Sequence, residues 1–291
     1  MDELTTIGAM RTWSRAQRAA GRTIAFVPTM GALHEGHLSL VRQARAAADR
    51  VVVSIYVNPT QFDNPDDLAK YPQTLAEDQA KLAAAGVDAV FLPTTEQMYP
   101  NGYCTFIEIV GPLTDKLCAI ARPGHFRGVA TVVIKLFHAV EPDVAVFGQK
   151  DLQQVMIVNR MVNDLDLPIR VLVGPTVREA DGLAMSSRNR RLDAGMRERA
   201  LSLPRGLERA RLAYGQGLSD AMKLCEAVYD ECLQHEGVEV DYVEVVSLKG
   251  FTTAETADDA CVLAAAILVD GVRLIDHVAL AGTVLPVPLD D

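Results

Sequence analysis

Two histidines three residues apart, His34 and His37 in Pro28-Thr29-Met30-Gly31-Ala32-Leu33-His34-Glu35-Gly36-His37, are the side chains most suited to chemistry on a phosphate. Imidazole donates a hydrogen bond when neutral and adds positive charge when protonated, so a pair on one helical turn can meet charge developing on a leaving phosphate. A helix cap is the bland alternative. The zinc helix motif H-E-x-x-H places its histidines four apart, so this pair is poorly spaced for a metal. Further along, Gly148-Gln149-Lys150-Asp151-Leu152-Gln153-Gln154 offers a point charge for phosphates in Lys150, a hard oxygen ligand for Mg²⁺ in Asp151 and an amide in Gln154. Gly182-Leu183-Ala184-Met185-Ser186-Ser187-Arg188-Asn189 supplies two hydroxyls and a guanidinium, groups that can close over a triphosphate or cap a helix. Asn58 and Gln61 can hydrogen-bond a small substrate without adding charge, or simply form a turn. Arg122, His125 and Arg127 form a local donor cluster suited to a carboxylate or phosphate, or to solvent.

These groups need elements to hold them. The apolar run Thr23–Val27 reads as a buried strand, and Leu38, Leu40, Val41, Ala44 and Ala48 recur at helical spacing after it. A phosphate suits the start of such a helix, where backbone N–H groups are unpaired and the helix dipole is positive. The β-branched run at 50–57 predicts a second parallel strand, with Asn58 to Phe62 leaving its carboxyl end, where open α/β sheets place ligands. A helix follows over 74–85, with Thr74 and Glu77 spaced as a capping box, then a strand at 89–92, a helix opened by the stretch 122–129 and running to about Ala139, and strands at 143–147 and 169–173. Beyond Leu192 the pattern changes to helices at 197–213 and 219–234, followed by strands at 240–246, 261–269 and 272–276. The expected fold is α/β, a Rossmann-like parallel sheet with a second, smaller α+β domain acting as a lid; the boundary lies between 176 and 177.

With 291 residues and 49% hydrophobic content the chain can build two cores. A formal charge of −10 disfavours a nucleic-acid footprint, which needs clustered lysine and arginine. Five cysteines without a C-x-x-C pair fit a reducing compartment and buried free thiols. The acidic start and the shortness of the longest apolar run point away from a signal peptide or membrane span, so a cytoplasmic protein is expected.

The string PTMGALHEGH resembles the HIGH motif of the nucleotidyltransferase superfamily that includes class I aminoacyl-tRNA synthetases. With N-P-T-Q-F at 58–62, R-P-G-H-F-R-G-V at 122–129, G-Q-K-D-L-Q-Q at 148–154 and L-A-M-S-S-R-N at 183–189, it resembles the family of pantothenate synthetases, or pantoate–β-alanine ligases, over nearly the whole chain. The resemblance implies ATP-dependent condensation of pantoate with β-alanine through a pantoyl adenylate, with Mg²⁺ and a homodimer. It implies catalytic roles for His34, His37, Lys150, Ser186, Ser187 and Arg188. ATP would be bound by Pro28, Thr29, Met30, Gly31, His34, His37, Gly148, Lys150, Asp151, Val177, Met185, Ser186, Ser187 and Arg188. Pantoate and β-alanine would be bound by Asn58, Gln61, Arg122, His125 and Gln154, and the metal by Asp151. Gln149 and Cys118 stand where the family pattern carries glutamate, which predicts altered affinity and retained activity. Another small-molecule nucleotidyltransferase, or a non-catalytic nucleotide-binding relative, remains the alternative.

Overall fold

A computed structural model describes residues 1–63 and 65–282 of the chain. In chain order the elements are β1 (Asp2–Leu4), α1 (Ile7–Ala19), β2 (Ile24–Thr29), α2 (Glu35–Ala47), β3 (Arg50–Ile55), α3 (Pro65–Ala69), α4 (Leu75–Ala84), β4 (Ala89–Phe91) and α5 (Thr95–Met98). There follow α6 (Cys118–Ala121), α7 (His125–Val140), β5 (Val144–Gly148), α8 (Leu152–Asp164), β6 (Arg170–Gly174), α9 (Ala194–Ala200), α10 (Ser202–Gly215), α11 (Ala221–Cys232), β7 (Val238–Ser247), β8 (Thr252–Thr253), β9 (Cys261–Val269) and β10 (Val272–Ala279). They fall into two units. The first holds Met1–Ile109, Arg122–Gln149 and Ile157–Gly174; the second holds Val110–Ala121, Lys150–Met156 and the described chain from Pro175 onward. The second unit thus includes two stretches that lie before residue 177.

In the first unit the β-branched runs form a six-stranded parallel sheet in the order β1-β4-β3-β2-β5-β6. Ile24, Ala25, Phe26 and Val27 of β2 and Val51, Val52 and Val53 of β3 are inaccessible to solvent, as central parallel strands require. Each buried Val, Ile or Phe side chain among them contributes roughly 1.5–3 kcal/mol, which offsets the entropy of ordering the strand. Chain connections leave β2 towards β3 on one side and meet β5 on the other. That reversal is the topological switch point, and ligands collect there beyond the strands' carboxyl ends. Helix α7 is buried along nearly its whole length. Its Gly128 is required by space, because a Cβ there would stand 2.3 Å from the Thr60 carbonyl oxygen.

The second unit is a four-stranded antiparallel sheet, β10-β9-β7-β8, with α10 and α11 closing its core. Strand β9 is apolar and buried throughout except at Leu268, and β7 runs beyond the expected 240–246, with a register shift between Val240 and Tyr242. Cys118 is buried in this unit, its Sγ 3.2 Å from the Tyr242 hydroxyl and 3.6 Å from Arg273 Nη2. All five cysteines are unpaired; Cys104 is exposed, which corrects the expectation of buried thiols at that position.

The capping box at Thr74 also needs correction. Thr74 precedes α4 but makes no side-chain cap; its hydroxyl donates to Asp78 Oδ2 at 3.1 Å. The hydroxyl is turned towards the buried carboxylate as a charge-assisted donor, and its oxygen accepts from no N–H of the first turn.

Candidate active site

The loop after β2 is shaped by groups that come from elsewhere in the first unit. Gly31 has φ +85°, a conformation that glycine adopts without a steric cost, and Ala32 follows at φ 50°. These turns direct the backbone N–H groups of Ala32 and Leu33 onto the carboxylate of Asp78, at 2.8 and 2.7 Å. Asp78 is fully buried in α4, and one turn on Lys81 Nζ donates to the Leu33 carbonyl at 2.7 Å. A buried carboxylate is costly unless it is fully hydrogen-bonded, and here two amides and the Thr74 hydroxyl supply the bonds.

The loop delivers His34 to the N-cap of α2 and His37 to its third helical position. Their rings lie together, with centroids 4.1 Å apart and planes inclined by 37°. The His34 N–H donates to His37 Nδ1 at 3.3 Å. A backbone N–H can only donate, so in neutral His37 the proton sits on Nε2. The pair thus stands at the positive end of α2 with a donor defined on one of its rings.

The strand next door supplies the amides. The 3₁₀ turn Pro59–Gln61 leaves β3, and both Asn58 and Gln61 are buried. Asn58 Nδ2 donates to Gln61 Oε1 at 3.1 Å and to the Gly128 carbonyl at 3.2 Å, while its Oδ1 accepts from the Tyr99 hydroxyl at 2.8 Å. Burial pushes the Tyr99 phenol up to about 12, so it remains a donor at neutral pH. Gln61 Nε2 lies 3.1 Å from Met30 Sδ in the loop after β2. Arg122 and His125 stand at the same turn; Arg122 Nη2 and His125 Nδ1 both reach the Gln61 main-chain oxygen, at 3.0 and 2.7 Å.

Gly148 ends β5 in the first unit, whereas Lys150, Asp151, Gln154, Val177, Met185, Ser186, Ser187 and Arg188 belong to the second. Lys150 Nζ is 3.8 Å from Asp151 Oδ1, and half of the Asp151 side chain is exposed. Of the two adjacent glutamines, Gln153 is consumed structurally: its Nε2 donates to the carbonyls of Leu113 and Lys116, and its Oε1 accepts from Cys118 N–H. Gln154 is half-buried.

Residues 177–185 fold back on themselves, with Met185 N–H on the Val177 carbonyl and a bridge between Arg178 and Ala184. Ser186 then caps the 3₁₀ turn Ser187–Arg191, its Oγ accepting from Arg188 N–H at 3.3 Å. A hydroxyl that accepts retains its own proton to donate. Arg178 forks onto the buried carboxylate of Asp276 at 2.6 and 3.0 Å. Asn189 and Arg197 share Glu179, and Arg197 also holds Asp181.

Asp78, Lys81, Tyr99 and Asp276 shape these sites without having stood out in the sequence. A carboxylate three residues before a lysine on a helix reads as a surface pair, and nothing in that pattern shows a fold partner 46 residues upstream. Among the described residues no cluster of three or more His, Cys, Asp or Glu side chains could hold a metal. A magnesium ion shared with phosphates needs only one or two carboxylates, and the half-exposed Asp151 beside Lys150 fits that smaller role.

A model of the pantoate-beta-alanine ligase family matches residues 2–279. The pantothenate synthetase of Pelotomaculum thermopropionicum is 49% identical over 94% of this chain and 97% of its own length. That of Heliobacterium modesticaldum is 50% identical over 94% and 97%. Among solved structures, the pantothenate synthetase of Thermus thermophilus superposes with a TM-score of 0.90 at 40% identity, covering 96% of this chain and 99% of that one. The pantoate-beta-alanine ligase of Francisella tularensis, solved with beta-gamma ATP and beta-alanine, gives 0.81 at 32% identity, covering 97% and 99%.

Proposed function

The chain belongs to the pantoate–β-alanine ligase family, and on that premise we propose how its residues carry the ATP-dependent joining of pantoate to β-alanine. A carboxylate oxygen of pantoate attacks the α-phosphorus of ATP, the bond to the bridging oxygen breaks, and pyrophosphate leaves. The amine of β-alanine then attacks the carbonyl of the pantoyl adenylate, loses a proton, and expels AMP as the amide forms. Adenylation turns an unreactive carboxylate into an acyl group with a good leaving group.

The observation that carries this reading is the paired imidazoles at the start of α2, held by a loop whose amides are fixed on Asp78. We assign His34 and His37 to the ATP phosphates, with the Nε2 proton of His37 hydrogen-bonding the departing pyrophosphate. Pro28, Thr29, Met30, Gly31, Gly148, Val177 and Met185 line the nucleotide, and Lys150, Ser186, Ser187 and Arg188 neutralise phosphate charge. Gln61 and Gln154 orient pantoate and β-alanine, with Asn58 behind Gln61. Asp151 is the residue that would hold Mg²⁺, which would supply positive charge to the phosphates. The second unit acts as a lid. We place the enzyme in the cytoplasm as a homodimer, a reading supported by its unpaired cysteines and by the family resemblance. No helix among the described residues is long and apolar enough to cross a membrane.

The test is release of AMP and pyrophosphate with ATP, Mg²⁺, pantoate and β-alanine, omitting each substrate in turn. AMP and pantothenate should appear only with all three substrates, and His37→Ala should lower kcat by about 10²–10³-fold, the loss typical of a donor to transition-state charge. Nucleotide transfer without an amide product would indicate another nucleotidyltransferase. ATP binding without turnover would indicate a non-catalytic relative.

A further inference from the structure

We infer that Arg122 and His125 serve the reaction through Gln61, fixing its main-chain carbonyl and thereby the side-chain amide assigned to pantoate. They are positioning residues and do not touch substrate. The inference rests on the assignment of Gln61 to pantoate.

The geometry is a clamp with defined proton positions. The Gln61 carbonyl oxygen accepts from His125 Nδ1 at 2.7 Å and from Arg122 Nη2 at 3.0 Å. Arg122 Nη1 meets His125 Nε2 at 3.2 Å, and Arg122 Nε holds Asp63 Oδ1 at 3.0 Å. A carbonyl only accepts and a guanidinium only donates, so Nδ1 of His125 carries the proton and Nε2 receives one from Arg122. The imidazole is therefore neutral and held in a single tautomer, with both nitrogens engaged. The Arg122 side chain is 12% exposed and His125 is 9% exposed, which leaves little of either for a ligand to meet.

Gln61 has reason to be held so firmly. It ends a 3₁₀ turn that lies directly on α7 at Gly128, with no side chain between to act as a spacer. Its amide is oriented separately: Asn58 Nδ2 donates to Oε1, so Nε2 is the end that projects towards Met30. One set of bonds fixes where the residue sits and another fixes which way its amide faces. A displacement of the carbonyl carries Nε2 with it, and a misplacement of about 1 Å can cost on the order of 100-fold in rate.

Substitutions at His125 separate positioning from contact. In His125→Asn the amide nitrogen falls close to the Nδ1 position and can still donate to Gln61. In His125→Gln it falls near Nε2 and cannot. We expect His125→Ala to raise the KM for pantoate about 10-fold or more, with the KM for ATP within about twofold. His125→Asn should restore most of the loss and His125→Gln little of it. In a Gln61→Ala background, His125→Ala should cost less than about twofold more, because the residue it positions is gone. If His125→Ala fails to fold, judged by thermal melting, the Asn and Gln variants carry the comparison. Restoration by Gln instead of Asn, or losses that multiply fully with Gln61→Ala, would overturn the inference and make His125 a substrate contact. An unchanged pantoate KM in Gln61→Ala alone would refute the assignment of Gln61, and the inference with it.

Discussion

The loop after β2 and the loop from Val177 to Arg191 present similar groups, backbone turns followed by a capped helical start, yet they are held by different physics. The first is fixed by a fully buried carboxylate that binds main-chain amides. In a low-dielectric interior such bonds are strong, little affected by salt, and costly to leave unmade. The second reaches the buried carboxylate of Asp276 through the Arg178 guanidinium, and an outer brace runs through Arg197 to Glu179 and Asp181, whose side chains are about 30% exposed. Exposed pairs are screened and individually weak. The first loop is thus held by buried main-chain bonds, while the Arg197 brace of the second is the part that salt can loosen.

Asp78→Ala should have the largest effect. It leaves two buried N–H groups without an acceptor, so a stability loss of about 3 kcal/mol is expected, measured by denaturant melting. Steady-state kinetics should show kcat/KM for ATP down by at least about 100-fold as the histidine pair loses its support. Retained activity in a folded variant would show that the loop holds its own shape. Arg197→Gln tests the other side. The expected cost is about 1 kcal/mol or less, with a few-fold rise in the KM for ATP, and about 0.5 M KCl should reproduce that rise in the unsubstituted enzyme.

The smallest effect concerns His277, buried in the second unit near Asp276, Arg178, Lys150 and Asp151. Burial holds its imidazole below the ordinary value of 6.5. The unfolded chain therefore binds a proton more readily than the folded one, and stability must fall as pH drops through that value. Melting temperatures recorded from about pH 8 to 5 should decline on the acid side, and His277→Phe should flatten that decline. An equal slope in both proteins would remove His277 as its source.

Much of this architecture is legible in the residues because burial dictates composition. Strands β2, β3 and β5 are apolar without alternation because both faces are covered, and that same run of Val, Ile and Phe announces them. The H-x-G-H spacing likewise places both rings on one helical turn. By contrast β1, reading Asp-Glu-Leu, pairs along the sheet's edge with almost no apolar signal. The spacing of Thr74 and Glu77 suggests a capping box, but the deciding group was Asp78, whose role depends on partners that local periodicity does not encode. Arg122 and His125 read as ligand donors from their types, and only their distances to the Gln61 carbonyl show where those donors point.

The bonds from Ala32 and Leu33 to Asp78 span 46 and 45 residues of chain, and they set an order of events in folding. The turn after β2 cannot take its final shape when β2 forms, because its acceptor lies in a helix that follows much later in the chain. During synthesis, the histidines emerge well before the residue that positions them. The turn that carries the histidine pair is therefore a product of long-range closure, completed only once α4 has docked.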